Sequence, residues 1–194
     1  MDNTLVLNNK DTGTSFKLHP QKFALWLFMV SVVMLFAAFT SYYAVEQANS
    51  TWVEFDLPSM FDYTTMTVVI SSVLMHISYI FAKKDEIFKL KVTLMVTFAA
   101  GVAFLAGQFY AWVQLVDQGV YLTGHPMGGI IYILSGVHGF HLVSGLIFLL
   151  IVVVAAFRYK VHAKSLVRIE MCATYWHFLG GLWIYLYLFL TLNH

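Results

Sequence analysis

Apolar and polar residues in this chain fall into long blocks. Five apolar runs lie near residues 23–45, 64–82, 92–116, 129–157 and 171–192, separated by polar segments. None of the five contains Asp, Glu, Lys or Arg. A charge at the centre of such a run would cost about 2.5–3.5 kcal/mol on insertion scales. At about 1.5 Å per helical residue, even the shortest run reaches roughly 30 Å, the thickness of the hydrocarbon core. Barrel strands would be about ten residues long and alternating, which these runs are not. The pattern predicts an all-α fold: a polytopic membrane bundle of five transmembrane helices, with a polar tail at 1–22 and a membrane domain at 23–194. The tail precedes an apolar run too long for a signal peptide, so that run reads as a retained span.

Charge supplies an orientation. All eleven Lys and Arg residues occupy alternate segments. Lys10, Lys17 and Lys22 precede the first run; Lys83, Lys84, Lys89 and Lys91 follow the second; Arg158, Lys160, Lys164 and Arg168 follow the fourth. Short loops rich in Lys and Arg stay cytoplasmic. The expected topology is therefore N-terminus inside and C-terminus outside, with residues 1–22 as a cytoplasmic tail. Trp26, Trp52, Tyr63, Trp112, Tyr121 and Tyr159 fall near the expected interfaces, where amphipathic rings settle. The composition is 60% hydrophobic and 11% charged, which excludes a soluble domain, and the net charge of +1 argues against a nucleic-acid partner. The single cysteine, Cys172, excludes an internal disulfide and a four-thiolate metal site.

Residues three and four apart share a helix face. In the fourth run Ser135, His138, His141 and Gly145 form one stripe, and small residues let helices approach closely in lipid. That stripe should face protein. Glu170, Thr174, His177 and Gly181 form another, the third run carries Gly101, Gln108 and Ala111, and the second carries Ser72, His76 and Tyr79. The simplest reading of the histidines is structural: each neutral imidazole donates one hydrogen bond and accepts another within the bundle. A haem would need axial ligands from opposing helices. His138 and His141 are too close along one helix to clamp it, although His76 or His177 could oppose one of them. No HExxH pattern suggests zinc. Glu170 is the only acid at the edge of a run, and reads equally as a solvated helix-start residue or as a lipid or partner contact. Pro126 reads as the start of the fourth helix, Gly180-Gly181 as a close-packing notch or kink, and Trp183 to Tyr187 as an interface anchor. There is no phosphate loop, Ser/His/Asp set or dinucleotide fingerprint.

Two longer motifs carry a resemblance. Gly136-Val137-His138-Gly139-Phe140-His141-Leu142, followed by Ser144-Gly145, resembles a helix motif of subunit III of the haem–copper terminal oxidases. Ile169-Glu170-Met171-Cys172-Ala173-Thr174-Tyr175-Trp176-His177-Phe178, with Trp183, is similar to that family's last-helix signature. Gln108, the pair Ser71-Ser72, and Leu27-Phe28 with Ser31 fit the preceding helices in order, so the likeness runs over roughly residues 20–192. It implies the five-helix bacterial form, in the cytoplasmic membrane. On this resemblance the chain holds no haem or copper, which belong to partner subunits, and has no reaction centre of its own. It packs on the catalytic subunit I and other oxidase subunits, binds phospholipid in a cleft between helices, and supports proton uptake and turnover stability. His138 and His141 would be bundle contacts, and Glu170 and His177 would hold the helix that closes the cleft. Three positions depart from the family: Val32, Ala111 and Gly180 stand where acids are common. That weakens a direct proton-handling role for this chain.

The expected function is a non-catalytic accessory subunit of a bacterial aerobic respiratory oxidase of the cytochrome c oxidase type, which reduces dioxygen to water with proton pumping; a larger respiratory supercomplex is a further candidate partner. The alternative donor is a quinol. The rival from another class is a haem-b membrane anchor passing electrons to quinone. A transporter is a weaker third reading, since no span is charged or clearly broken.

Overall fold

The structure, a computed structural model, describes residues 20–49, 59–123, 126–158 and 163–192. They form five helices: α1 Pro20–Asn49, α2 Met60–Lys83, α3 Ile87–Asp117, α4 Pro126–Phe157 and α5 Ala163–Leu192. All five are long and apolar enough to cross a membrane. Each apolar run lies inside one helix, and every helix overruns its run at the N-terminal end. Backbone hydrogen bonding continues into the interfacial zone, where charged side chains are tolerated. At the start of α3, for example, Lys89 pairs with Glu86 at 2.7 Å, and Lys91 sits 5.1 Å from the centre of the Phe157 ring. Pro20 and Pro126 open α1 and α4, where the missing N–H costs nothing.

Two of the connections use the same device. After α2, Glu86 N–H donates to the Phe81 carbonyl and Asp85 N–H to the Ala82 carbonyl. After α3, Val120 N–H donates to the Leu115 carbonyl and Gly119 N–H to the Val116 carbonyl. These are Schellman closures, which need one residue in the left-handed region. Gly119 supplies it with φ 80°, and Asp85 with φ 58°.

α2 and α3 form a tight hairpin. α5 packs on α2 and α4, and α4 packs on α3, closing a four-helix ring. α1 lies outside that ring and touches only α4 and α5. The core divides along the bundle axis. One half gathers Phe61, Phe104, Leu134 and Trp183, and receives Val32, Phe36 and Tyr43 from α1. The other is built from Met75, Leu90, Leu94, Leu149, Val152 and Trp176, and contains no α1 residue. Met34, Met66, Phe88, Phe140 and Ile147 remain exposed on the outside, as expected of a bundle whose surroundings are as apolar as its core. Adjacent helices alternate in direction. Lys22 meets Glu170, and Lys91 meets Phe157, so the described basic residues gather at one end. Lys10, Lys17, Trp52, Tyr159 and Lys160 lie outside the described residues.

Candidate functional site

Side-chain hydrogen bonds between helices concentrate where α5 meets its neighbours. Between the antiparallel α2 and α5 the pairs run in register. Trp183 Nε1–H donates to Thr65 Oγ1 at 3.0 Å, and Trp176 Nε1–H donates to Ser71 Oγ at 2.8 Å. Ser72 Oγ lies 2.5 Å from His177 Nδ1, and the Tyr187 hydroxyl donates to Asp62. Toward α4, the Tyr175 and Ser144 hydroxyls are 2.8 Å apart. Toward α1, the Tyr185 hydroxyl donates to Thr40 Oγ1 at 3.2 Å, and Lys22 Nζ lies 2.8 Å from both Glu170 oxygens. On the opposite side of the ring, Trp112 Nε1–H donates to Ser135 Oγ at 3.0 Å. Three indoles thus reach three small hydroxyls across helix interfaces, satisfying the N–H that a buried tryptophan carries.

These contacts need close approach, and small residues provide it. A Cβ built at Gly101 would come within 2.7 Å of the Trp176 ring, and one at Gly145 within 2.8 Å of Leu179. Ser135, His138, His141 and Gly145 are all buried, so the α4 stripe faces protein. On α5 the notch is Gly180, whose Cβ would lie 3.2 Å from Val68, whereas Gly181 is exposed with nothing near it. That corrects the stripe expected from spacing: α5 buries the neighbouring position because it is gripped from both α2 and α4.

The histidines behave differently from one another. His141 lies with Nδ1 2.8 Å from the Val137 carbonyl, so Nδ1 carries the proton and donates. His177 is held by Ser72, and His76 is exposed with its ring centre 5.8 Å from that of His177. The second-helix stripe therefore does not bury His76. His138 is fully buried, yet neither ring nitrogen has a hydrogen-bond partner. Within the protein, the expectation that every imidazole makes two hydrogen bonds fails at His177, whose buried Nε2 has no partner, and most fully at His138, whose neighbours are rings: Phe36 at 6.3 Å, Phe104 at 6.0 Å and Trp183 at 5.1 Å between centres. Gln108 is also buried, with both amide atoms unpartnered.

Some residues take a different part from the one their sequence position suggests, and others had none. Glu170 is not a helix-start residue, since α5 begins at Ala163; it faces Lys22 on α1. Trp112 and Trp183 are bundle contacts rather than interface anchors. Trp176, Thr65 and Asp62 had no assigned part. The available signal was the seven-residue spacing of Trp176 and Trp183, which puts both indoles on one face of α5; their acceptors Ser71 and Thr65 are six apart on α2.

The geometry bears on the haem reading. A porphyrin clamped between α5 and α2 would need a slot, but Gly180 packs on Val68 and Ser72 meets His177 at that level. His138 is walled in by aromatic rings from α1, α3 and α5. Among the described residues no three His, Cys, Asp or Glu side chains converge. An open apolar groove of about 460 Å³ between α1 and α5 is lined by Trp26, Met29, Val33, Thr174, His177 and Phe178.

Fold and contacts together define a class: a five-helix membrane bundle whose polar side chains tie helix to helix. Residues 9–193 match the family described as cytochrome c oxidase subunit III, and the chain belongs to that family. It is 29% identical to a probable cytochrome c oxidase subunit 3 of Nocardia farcinica, over 83% of this chain and 82% of the relative. It is also 29% identical to cytochrome bo(3) ubiquinol oxidase subunit 3 of Buchnera aphidicola, over 95% of this chain and 97% of the relative. A cytochrome c oxidase subunit 3 of Bacillus subtilis is 24% identical over 94% of this chain.

Proposed function

We propose that this chain is the non-catalytic third subunit of a bacterial aerobic oxidase in the cytoplasmic membrane, with N-terminus inside and C-terminus outside. The observation that carries the reading is the family match over nearly the whole chain, together with histidines that bond to helices or sit among rings. On this reading dioxygen is reduced to water, with proton pumping, at haem and copper held by the catalytic subunit. This chain packs on that subunit through part of its apolar exterior. The α1–α5 groove takes phospholipid chains, and Lys22, Glu170 and His177 hold the two helices that form it. The chain thereby supports proton uptake and the lifetime of the centre.

A quinol donor is the second reading, motivated by the Buchnera relative, a ubiquinol oxidase subunit that aligns over 95% of this chain. Donor choice rests on other subunits. The test is affinity purification of the tagged full chain from its native membrane. Haem–copper catalytic subunits should come down with it. A strain lacking this chain should yield a complex that keeps its haem spectrum but loses activity during sustained turnover. A Soret band from the isolated chain that vanishes in His138→Ala would instead establish the haem-anchor rival.

A further inference from the structure

Two buried side chains on facing helices keep four polar atoms without partners: Gln108 Oε1 and Nε2 on α3, and His138 Nδ1 and Nε2 on α4. The helix register brings them within about one turn of each other. Phe104, one turn before Gln108, meets the His138 ring edge-on at 6.0 Å. Trp112, one turn after Gln108, donates to Ser135, which is one turn before His138. Gln108 therefore sits on α3 between these two contacts, and His138 forms one of them. The two do not bond directly, since no atom of either lies within hydrogen-bond distance of a partner.

Nothing else around them supplies the missing bonds. The rings against His138 are Phe36, Phe104 and Trp183, and the Trp183 N–H is already given to Thr65. His141 uses its Nδ1 on the Val137 carbonyl. Ala111, on the next turn of α3 and fully buried, brings only a methyl group to that face. A neutral imidazole and a carboxamide each hold one acceptor and at least one donor. One water molecule is complementary to both, and buried waters characteristically make about three bonds to such groups. Bulk water does not reach the interior of a span, so stranding these groups would be costly.

We propose that Gln108 and His138 form a buried water site between α3 and α4, with one ordered water bridging carboxamide and imidazole. The site is neutral, and its ligand class is a single small molecule able to donate and accept hydrogen bonds. It does not depend on what complex the chain belongs to.

The test is a cryo-EM map of the full chain, in lipid nanodiscs with whatever complex it purifies in, at a resolution that shows ordered water. A peak within hydrogen-bond distance of both side chains is expected. A direct Gln108–His138 bond, or no peak between them, overturns the proposal. Thermal midpoints supply a second readout. Gln108→Leu and His138→Leu should each lower the midpoint, and the double variant should lose clearly less than the two losses added together, because it strands no polar group. Additive losses would count against a shared water.

Discussion

The Trp176 indole shows how a single residue organises this bundle. It donates to Ser71 on α2, and its ring lies where a side chain at Gly101 on α3 would stand. Two predictions follow at this scale. Ser71→Ala leaves the buried indole N–H without an acceptor and should lower stability by about 1–3 kcal/mol. Adding Trp176→Phe should recover part of that loss, measured by thermal unfolding in detergent. Gly101→Ala forces a methyl group into the Trp176 ring at 2.7 Å. Overpacking of this kind costs about 1–3 kcal/mol. If the variant unfolds at the wild-type midpoint, the seating of the Trp176 ring against Gly101 is wrong. The individual buried positions were legible in part. His138, His141 and Gly145 share a helical face that spacing alone reveals. Which indole meets which hydroxyl was not legible, because that depends on how two distant segments align.

At the level of elements, the two Schellman turns and the docking of α1 are the informative features. The α2–α3 turn places Asp85 at φ 58° where the α3–α4 connection uses Gly119. Glycine adopts this region without steric cost. Asp85→Gly should therefore be neutral or stabilising by up to about 1 kcal/mol, once its greater unfolded-state freedom is counted, and a chemical-denaturation series would show the sign. α1 joins only one half of the core, and Lys22–Glu170 ties it to α5 at the end where no shared apolar core exists. Both side chains are partly solvated, at 37% and 42% exposure. Solvent screening then limits the pair to about 1 kcal/mol or less. Glu170→Lys should loosen α1, read as faster proteolysis or amide exchange of 20–30, and the swap Lys22→Glu with Glu170→Lys should restore protection. The existence of all five helices was legible, since each apolar run is long and uncharged. Their true starts were not, because hydrogen-bonded helix continues beyond the apolar stretch.

For the whole molecule, an odd number of helices puts the N-terminal end of α1 and the C-terminal end of α5 at opposite ends of the bundle. Single cysteines placed at 21 and 192, both exposed, in a Cys172→Ser background, should label from opposite sides of sealed membranes, with position 21 on the cytoplasmic side. Labelling of both from one side would contradict the five-crossing arrangement, and reversed labelling would contradict the proposed sidedness alone. The ring of four helices with α1 outside also makes a packing prediction. Variants that loosen α1 should spare the α2–α3 hairpin, because the two share no contact.

Composition and the spacing of charge by themselves determined that this chain is a five-span helical membrane protein, since the bilayer imposes length and neutrality on every span independently. The motif residues determined its family for the same local reason, as they occur in order along one chain. Only the tertiary structure decided that α5 is the hub, that Glu170 belongs to Lys22, that His76 lies on the surface and that His138 lacks a protein partner. Those outcomes depend on helix rotation and vertical register. Both are set by simultaneous packing of segments more than a hundred residues apart, which no single stretch of sequence encodes.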